Sequence, residues 1–209
     1  KLAEITPDPA IFPYASGPGD LRGDFTTEAS LFMDSIFRGD QSVLRLLDSP
    51  YTFVNERLAL HYGINSVRGD QFRKVTLEDA SRHGLLGKGA VLMVSSYPNR
   101  TSPVLRGAFV LERIMGSPPP IPPPAVEALP AVNADKKPDT VRALLEMHRQ
   151  KPQCFSCHAS IDPIGFVLEG FDATGKARSM DRFARTEIDM LGQLPDGTIS
   201  VPAVLRPFC

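Results

Sequence analysis

Cys154-Phe155-Ser156-Cys157-His158 is a run whose residue types and spacing point at one chemistry. Two thiols three positions apart project from the same side of a helical turn, and the histidine after the second can swing beneath a flat group that both hold. This is the C-x-x-C-H arrangement of covalent haem attachment, in which the thiols take the two vinyl groups and the imidazole takes the iron. The sequence therefore predicts one covalently bound haem c, anchored by Cys154 and Cys157, with His158 as its proximal ligand. Two plainer readings compete. A C-x-x-C redox pair belongs at a helix start within a βαβ pattern, and no strand is expected ahead of this one. Chance is the other, and a chain with three cysteines leaves little room for it. Three cysteines build no disulfide framework, and a four-ligand zinc ribbon wants a second pair.

The sixth iron position has two candidates, Met180 and His148. Met180 follows His158 by about twenty residues and offers a thioether; His148 precedes Cys154 by six, on the apolar face of its helix. For His148 the plainer reading is a core histidine bonded to a backbone carbonyl, and methionines at such spacings are mostly core filler. Met93 and Met190 are weaker candidates, and His61 and His83 belong to upstream helices. The choice sets the chemistry, because His/Met ligation raises the potential over bis-His, and an open position admits external ligands or peroxide. Asp162 is expected to cap the next turn rather than bond a haem-edge group. Arg106 and Arg178 have forks that suit haem propionates, although a surface role serves either equally well. Cys209 has no partner in the sequence and receives no role.

The elements that must position this run read as mainly α, helical, and rich in proline and loops. Twenty prolines and sixteen glycines in 209 residues rule out a short-looped helical bundle. Residues 1–24 read as an extended N-terminal segment of turn formers, and 25–116 as a helical domain. Within the latter, helices are expected over 25–37, 41–47 and 52–62, with Gly39 and Gly63 closing the first and third. The state of 84–94, an apolar stretch broken by glycines, does not follow from pattern. Ser102 and Pro103 form a strong helix start, followed by Val104, Ala108, Leu111 and Met115 as the expected buried stripe. Residues 117–138 open on Ser117-Pro118-Pro119-Pro120-Ile121-Pro122-Pro123-Pro124 and read as a stiff, extended proline-rich linker. A helix capped by Asp139 leads into the haem c-binding region, 139–178, which reads as a cytochrome c-like C-terminal region. Residues 179–209 form a hairpin and tail, with Asp196-Gly197 turning a small terminal β-hairpin.

Longer stretches carry a resemblance. Residues 93–178 resemble the haem-c-type C-terminal region of planctomycete-type cytochrome-like proteins of unknown function, the PSD and PSCyt families. The matching runs are Ser96-Tyr97-Pro98-Asn99-Arg100-Thr101-Ser102-Pro103-Val104-Leu105-Arg106-Gly107, Pro118-Pro119-Pro120, His148-Arg149, and Cys154 to His158. Ile161-Asp162-Pro163-Ile164-Gly165-Phe166, Leu168-Glu169, Phe171-Asp172 and Gly175 continue them. Phe53 to Ala59 and His61-Tyr62-Gly63 resemble the domain that precedes this region, and Ile188-Asp189 with Pro195-Asp196-Gly197 the start of the one that follows. One departure is Ala177 before Arg178, where the family carries Trp. The resemblance implies a periplasmic or exported bacterial haem protein and a chain that is part, or a relative, of something larger. A first residue of Lys rather than Met agrees with that expectation. It supplies no established reaction.

The expected function is that of a c-type cytochrome, transferring electrons through one covalent haem c beside a redox partner. Whether the chain is an enzyme stays open, with an electron carrier favoured over a catalyst. One alternative is a redox enzyme module with an open, peroxidase-like haem face; another is structural haem in an assembly scaffold. Ordering 1–24 and 117–124 as coil costs roughly 1–2 kcal/mol per residue, so both are expected to lie on other subunits or on upstream domains of a longer polypeptide. Twenty-three basic against 24 acidic residues give no field for nucleic acid, and no apolar run is long enough to span a membrane, so any membrane association would come through partners.

Overall fold

The computed structural model describes residues 2–13, 15, 21–120, 140–193 and 199–200. They fall into two compact units, one drawn from Lys1–Thr101 with Phe171–Ala177 and the other from Ser102–Gly170 with Arg178–Val201. The architecture is mainly α, with small two-stranded antiparallel sheets.

In the first unit, α1 (Leu21–Phe37) begins four residues before the expected start. Then come α2 (Arg45–Asp48), β1 (Tyr51–Val54), α3 (Glu56–His61), β2 (Arg73–Thr76) and α4 (Gly89–Val94). The expected single helix over 52–62 is thus a strand and a helix. Tyr51-Thr52-Phe53-Val54 is aromatic and β-branched, and it pairs antiparallel with β2 in the register Tyr51 to Thr76. Asn55 makes the break: its side chain accepts from the Leu58 N–H at 2.9 Å and starts α3 as an N-cap. Gly63, at φ +79°, closes that helix as expected. The undecided 84–94 stretch resolves as α4 and the turns before it.

The described part of the N-terminal segment packs on this unit. Phe12 and Ala15 are buried in this unit's own core beside Leu21, Phe25 and Leu58, and the Asp8 N–H donates to the Pro98 carbonyl at 3.0 Å. The expected strap therefore packs locally over its described residues, because its apolar side chains are worth more there than in water.

This unit also buries charge. Glu28, fully buried, accepts from Tyr62 Oη at 2.6 Å and from the Thr52 hydroxyl. Lys88, fully buried, donates to the Tyr51 carbonyl at 3.1 Å and lies over the Phe32 ring. Burial pushes the Lys88 ammonium down to about 8, against the pull of Glu28, and burial raises the Glu28 carboxyl.

The second unit holds α5 (Pro103–Phe109), continued by a π-turn at Val110–Ile114, then α6 (Val141–His148) and α7 (Pro152–Phe166). Ser102 caps α5 as expected, accepting from the Leu105 N–H at 3.2 Å. Thr140 caps α6, accepting from the Ala143 N–H at 3.1 Å; the expected cap, Asp139, lies outside the described residues. Backbone pairing of β3 (Gly192–Gln193) with β4 (Ile199–Ser200) agrees with the expected hairpin, whose Asp196-Gly197 turn is outside the described residues, as is linker 121–138.

The expected stripe on α5 is the wrong face. Pro103, Arg106, Gly107 and Val110 are buried, whereas Met115 is half exposed. Two glycines explain it. A Cβ on Gly107 would overlap the Ile161 carbonyl, and one on Gly165 the Pro103 carbonyl, so α5 and α7 meet backbone to backbone.

Candidate functional site

The C-x-x-C-H run lies in the first half of α7, set up by its neighbours in sequence. Lys151-Pro152 starts the helix, with proline in the first turn where its missing N–H costs nothing. The N–H groups of Cys154 and Phe155 both reach the Lys151 carbonyl, at 2.9 and 3.0 Å. Cys154, Cys157 and His158 then stand at i, i+3 and i+4, within an arc of about 100°. Both cysteines are free thiols and partly exposed.

His158 Nδ1 lies 2.9 Å from Asp162 Oδ1, one turn along the same helix. Asp162 is fully buried, while the His158 side chain keeps 17% exposure. An imidazole whose Nδ1 donates to a carboxylate keeps its lone pair on Nε2, the atom a metal takes. The other carboxylate oxygen, Oδ2, has no hydrogen-bond partner and faces Arg149 Nε at 3.8 Å. The expected capping role of Asp162 is corrected: the residue sits inside α7 and turns back on His158. The spacing His158-x-x-x-Asp162 was a readable signal, since residues four apart on a helix are neighbours.

The two axial candidates fall differently. His148, the last residue of α6, meets the His158 ring edge to face, with centroids 4.9 Å apart and planes at 71°. Burial, then the neighbouring His158 and Lys151, lower its pKa, which favours the neutral imidazole. Met180 is half exposed, and its backbone bridges to Glu187.

The remaining candidates are structural. His61 Nε2 and His83 Nε2 lie 2.8 and 3.1 Å from the carbonyls of Thr174 and Leu77. Met93 is core, and Met190 lies over Gly170. Arg106 is fully buried and pairs with Glu169 Oε1 at 3.0 Å, while Arg178 holds Oε2 of the same carboxylate at 2.8 Å. Both arginines are thus committed within the protein rather than to propionates or the surface, and each of the two carboxylate oxygens meets a guanidinium. Cys209 lies outside the described residues. A small cavity of about 70 Å³ is lined by Arg142, Phe166, Arg178 and Asp189, among others, and does not include the cysteines or His158.

The donor set of two thiols and one imidazole on a single helix face fits covalent haem c: Cys154 and Cys157 for the vinyl groups, His158 Nε2 for iron. Among the described residues, no three His, Cys, Asp and Glu side chains converge as a metal-ion cage.

The arrangement defines a mainly α chain with a C-x-x-C-H helix. Residues 82–181, which contain the whole α6–α7 corner, match PSCyt3, a "Protein of unknown function (DUF1588)". Residues 1–64 match PSD4, a "Protein of unknown function (DUF1592)". The two matches support the resemblance to the planctomycete-type PSCyt and PSD families. No curated protein and no solved structure matches the chain.

Proposed function

We propose that this chain is a c-type cytochrome that passes single electrons through one covalent haem c. The observation that carries the reading is the common face of α7 shared by Cys154, Cys157 and His158, with His158 Nε2 turned free by the Nδ1 contact to Asp162. The family name PSCyt3 points the same way. The haem, when bound, supplies an iron that cycles between its ferric and ferrous states. Cys154 and Cys157 would hold the haem, each sulfur bonding one carbon of a vinyl group and each thiol hydrogen going to the other carbon. His158 would lend the iron a lone pair from Nε2. Electrons come from and go to an external one-electron redox partner, a separate subunit or a domain of a longer polypeptide, in a periplasmic or exported setting. Among the described residues no helix is long and apolar enough to cross a membrane. The test is covalent haem: the chain produced with a cytochrome c maturation system should gain the mass of one haem and stay coloured on a denaturing gel.

A further inference from the structure

We propose that Asp162 is the positioning residue for the proximal iron ligand: it fixes the orientation and proton of His158 and lowers the reduction potential from the value the same ligand set would give without it. The inference rests on the reading that His158 binds haem iron. It starts from a cost. A carboxylate with no exposed surface, in the interior of a helix, is expensive unless its oxygens are partnered. Oδ1 has the His158 Nδ1 contact at 2.9 Å, and Oδ2 has no hydrogen bond, with the Arg149 guanidinium 3.8 Å away. A residue needed only to tie α6 to α7 would place its best oxygen on Arg149. This one places it on the imidazole.

The geometry leaves His158 little freedom. Both residues sit on one rigid helix, four positions apart, and Pro163 follows directly with its φ fixed by the ring. The imidazole therefore presents Nε2 from a set angle and keeps its proton on Nδ1. A carboxylate on Nδ1–H pushes electron density toward Nε2 and makes it a stronger donor, which favours ferric over ferrous iron. Arg149 moderates this by sharing the other oxygen.

The experiment has a metal-free and a haem-loaded arm, both on the full chain. In the metal-free chain, ¹⁵N NMR of His158 should show the Nδ1–H tautomer. Asp162→Ala should shift it toward Nε2–H, the form free imidazole prefers. In the loaded chain, Asp162→Asn should raise the midpoint potential and Arg149→Gln should lower it, with haem content and melting temperature tracked alongside. A wild-type Nε2–H tautomer overturns the proposal, as does a folded Asp162→Asn chain whose potential equals wild type. If the Asp162 variants fail to fold, the wild-type tautomer and Arg149→Gln still decide. A chain that accepts no haem defeats the cytochrome reading instead, and the NMR arm then still judges whether Asp162 positions His158.

Discussion

The imidazole of His148 meets that of His158 edge to face, 4.9 Å between centroids, across the turn that joins α6 to α7. Two histidines that sandwich one iron point their nitrogens at each other from opposite sides of a ring plane. Centroids 4.9 Å apart leave too little space for an iron between the two rings, so His148 could serve as the sixth ligand only if the rings separated. With Met180 as the sixth ligand of the proposed haem, Met180→Ala is expected to turn a low-spin spectrum high-spin and open the iron to carbon monoxide, whereas His148→Ala should leave it low-spin. His158→Ala should lose the proximal bond and bind added imidazole. An unchanged low-spin spectrum in Met180→Ala would place the ligand elsewhere.

The cysteines make a separate prediction. Replacing either Cys154 or Cys157 with Ala should leave one thioether and shift the absorption bands, and replacing both should abolish colour on a denaturing gel. Mass spectrometry of the intact chain reads the difference directly. A colourless wild-type protein carrying a Cys154–Cys157 disulfide would favour the thiol-redox reading instead.

What could be read from the sequence follows from how local each signal is. The Ser102 cap, the Gly63 stop and the paired strands near residue 195 are decided by a few adjacent residues, and they stand as expected. The Tyr51–Val54 strand was missed because its partner is twenty residues away and its apolar spacing also suits a helix. On α5 the inward face carries Arg106 and Gly107, which a hydrophobic count scores as outward. The burial of Arg106 depends on Glu169, sixty-three positions on, and no periodicity reveals that. At the candidate site, the motif alone places Cys154, Cys157 and His158 on one helical turn, as found, while the turn of Asp162 back onto His158 is signalled only by their four-residue spacing.

The α5–α7 contact makes a stability prediction. Gly107→Ala and Gly165→Ala each force a methyl group into a backbone carbonyl of the facing helix, and neither carbonyl can move without its helix. Overpacking of this kind costs about 1–3 kcal/mol. Urea unfolding should show a lower midpoint for both, whereas Gly116→Ala, which meets nothing within 4 Å but has φ +65°, should lose only what its left-handed backbone costs. Equal stability of Gly107→Ala and wild type would mean the helices do not approach as described.

Lys88 predicts how stability changes with pH. Its folded pKa of about 8 lies below the ordinary lysine value of 10.5, and the cause is burial beneath the Phe32 ring and the Tyr51 carbonyl. Below pH 8 the ammonium is charged in both states, and the folded state bears the cost of burying it. Between pH 8 and 10.5 the folded chain has released a proton that the unfolded chain still binds. Stability rises with pH wherever the unfolded state holds more protons, so this group favours folding increasingly across that window. The neighbouring Glu28 acts in the opposite sense: its pKa, raised by burial, makes its contribution present in acid and lost as pH climbs through the folded value. Lys88→Met removes the alkaline contribution and keeps the fill of the side chain. Denaturation at pH 7, 8.5 and 10 should therefore show wild type gaining on the variant with each step. Profiles that run parallel from pH 7 to 10 would mean that Lys88 titrates alike in both states and is not buried as a cation.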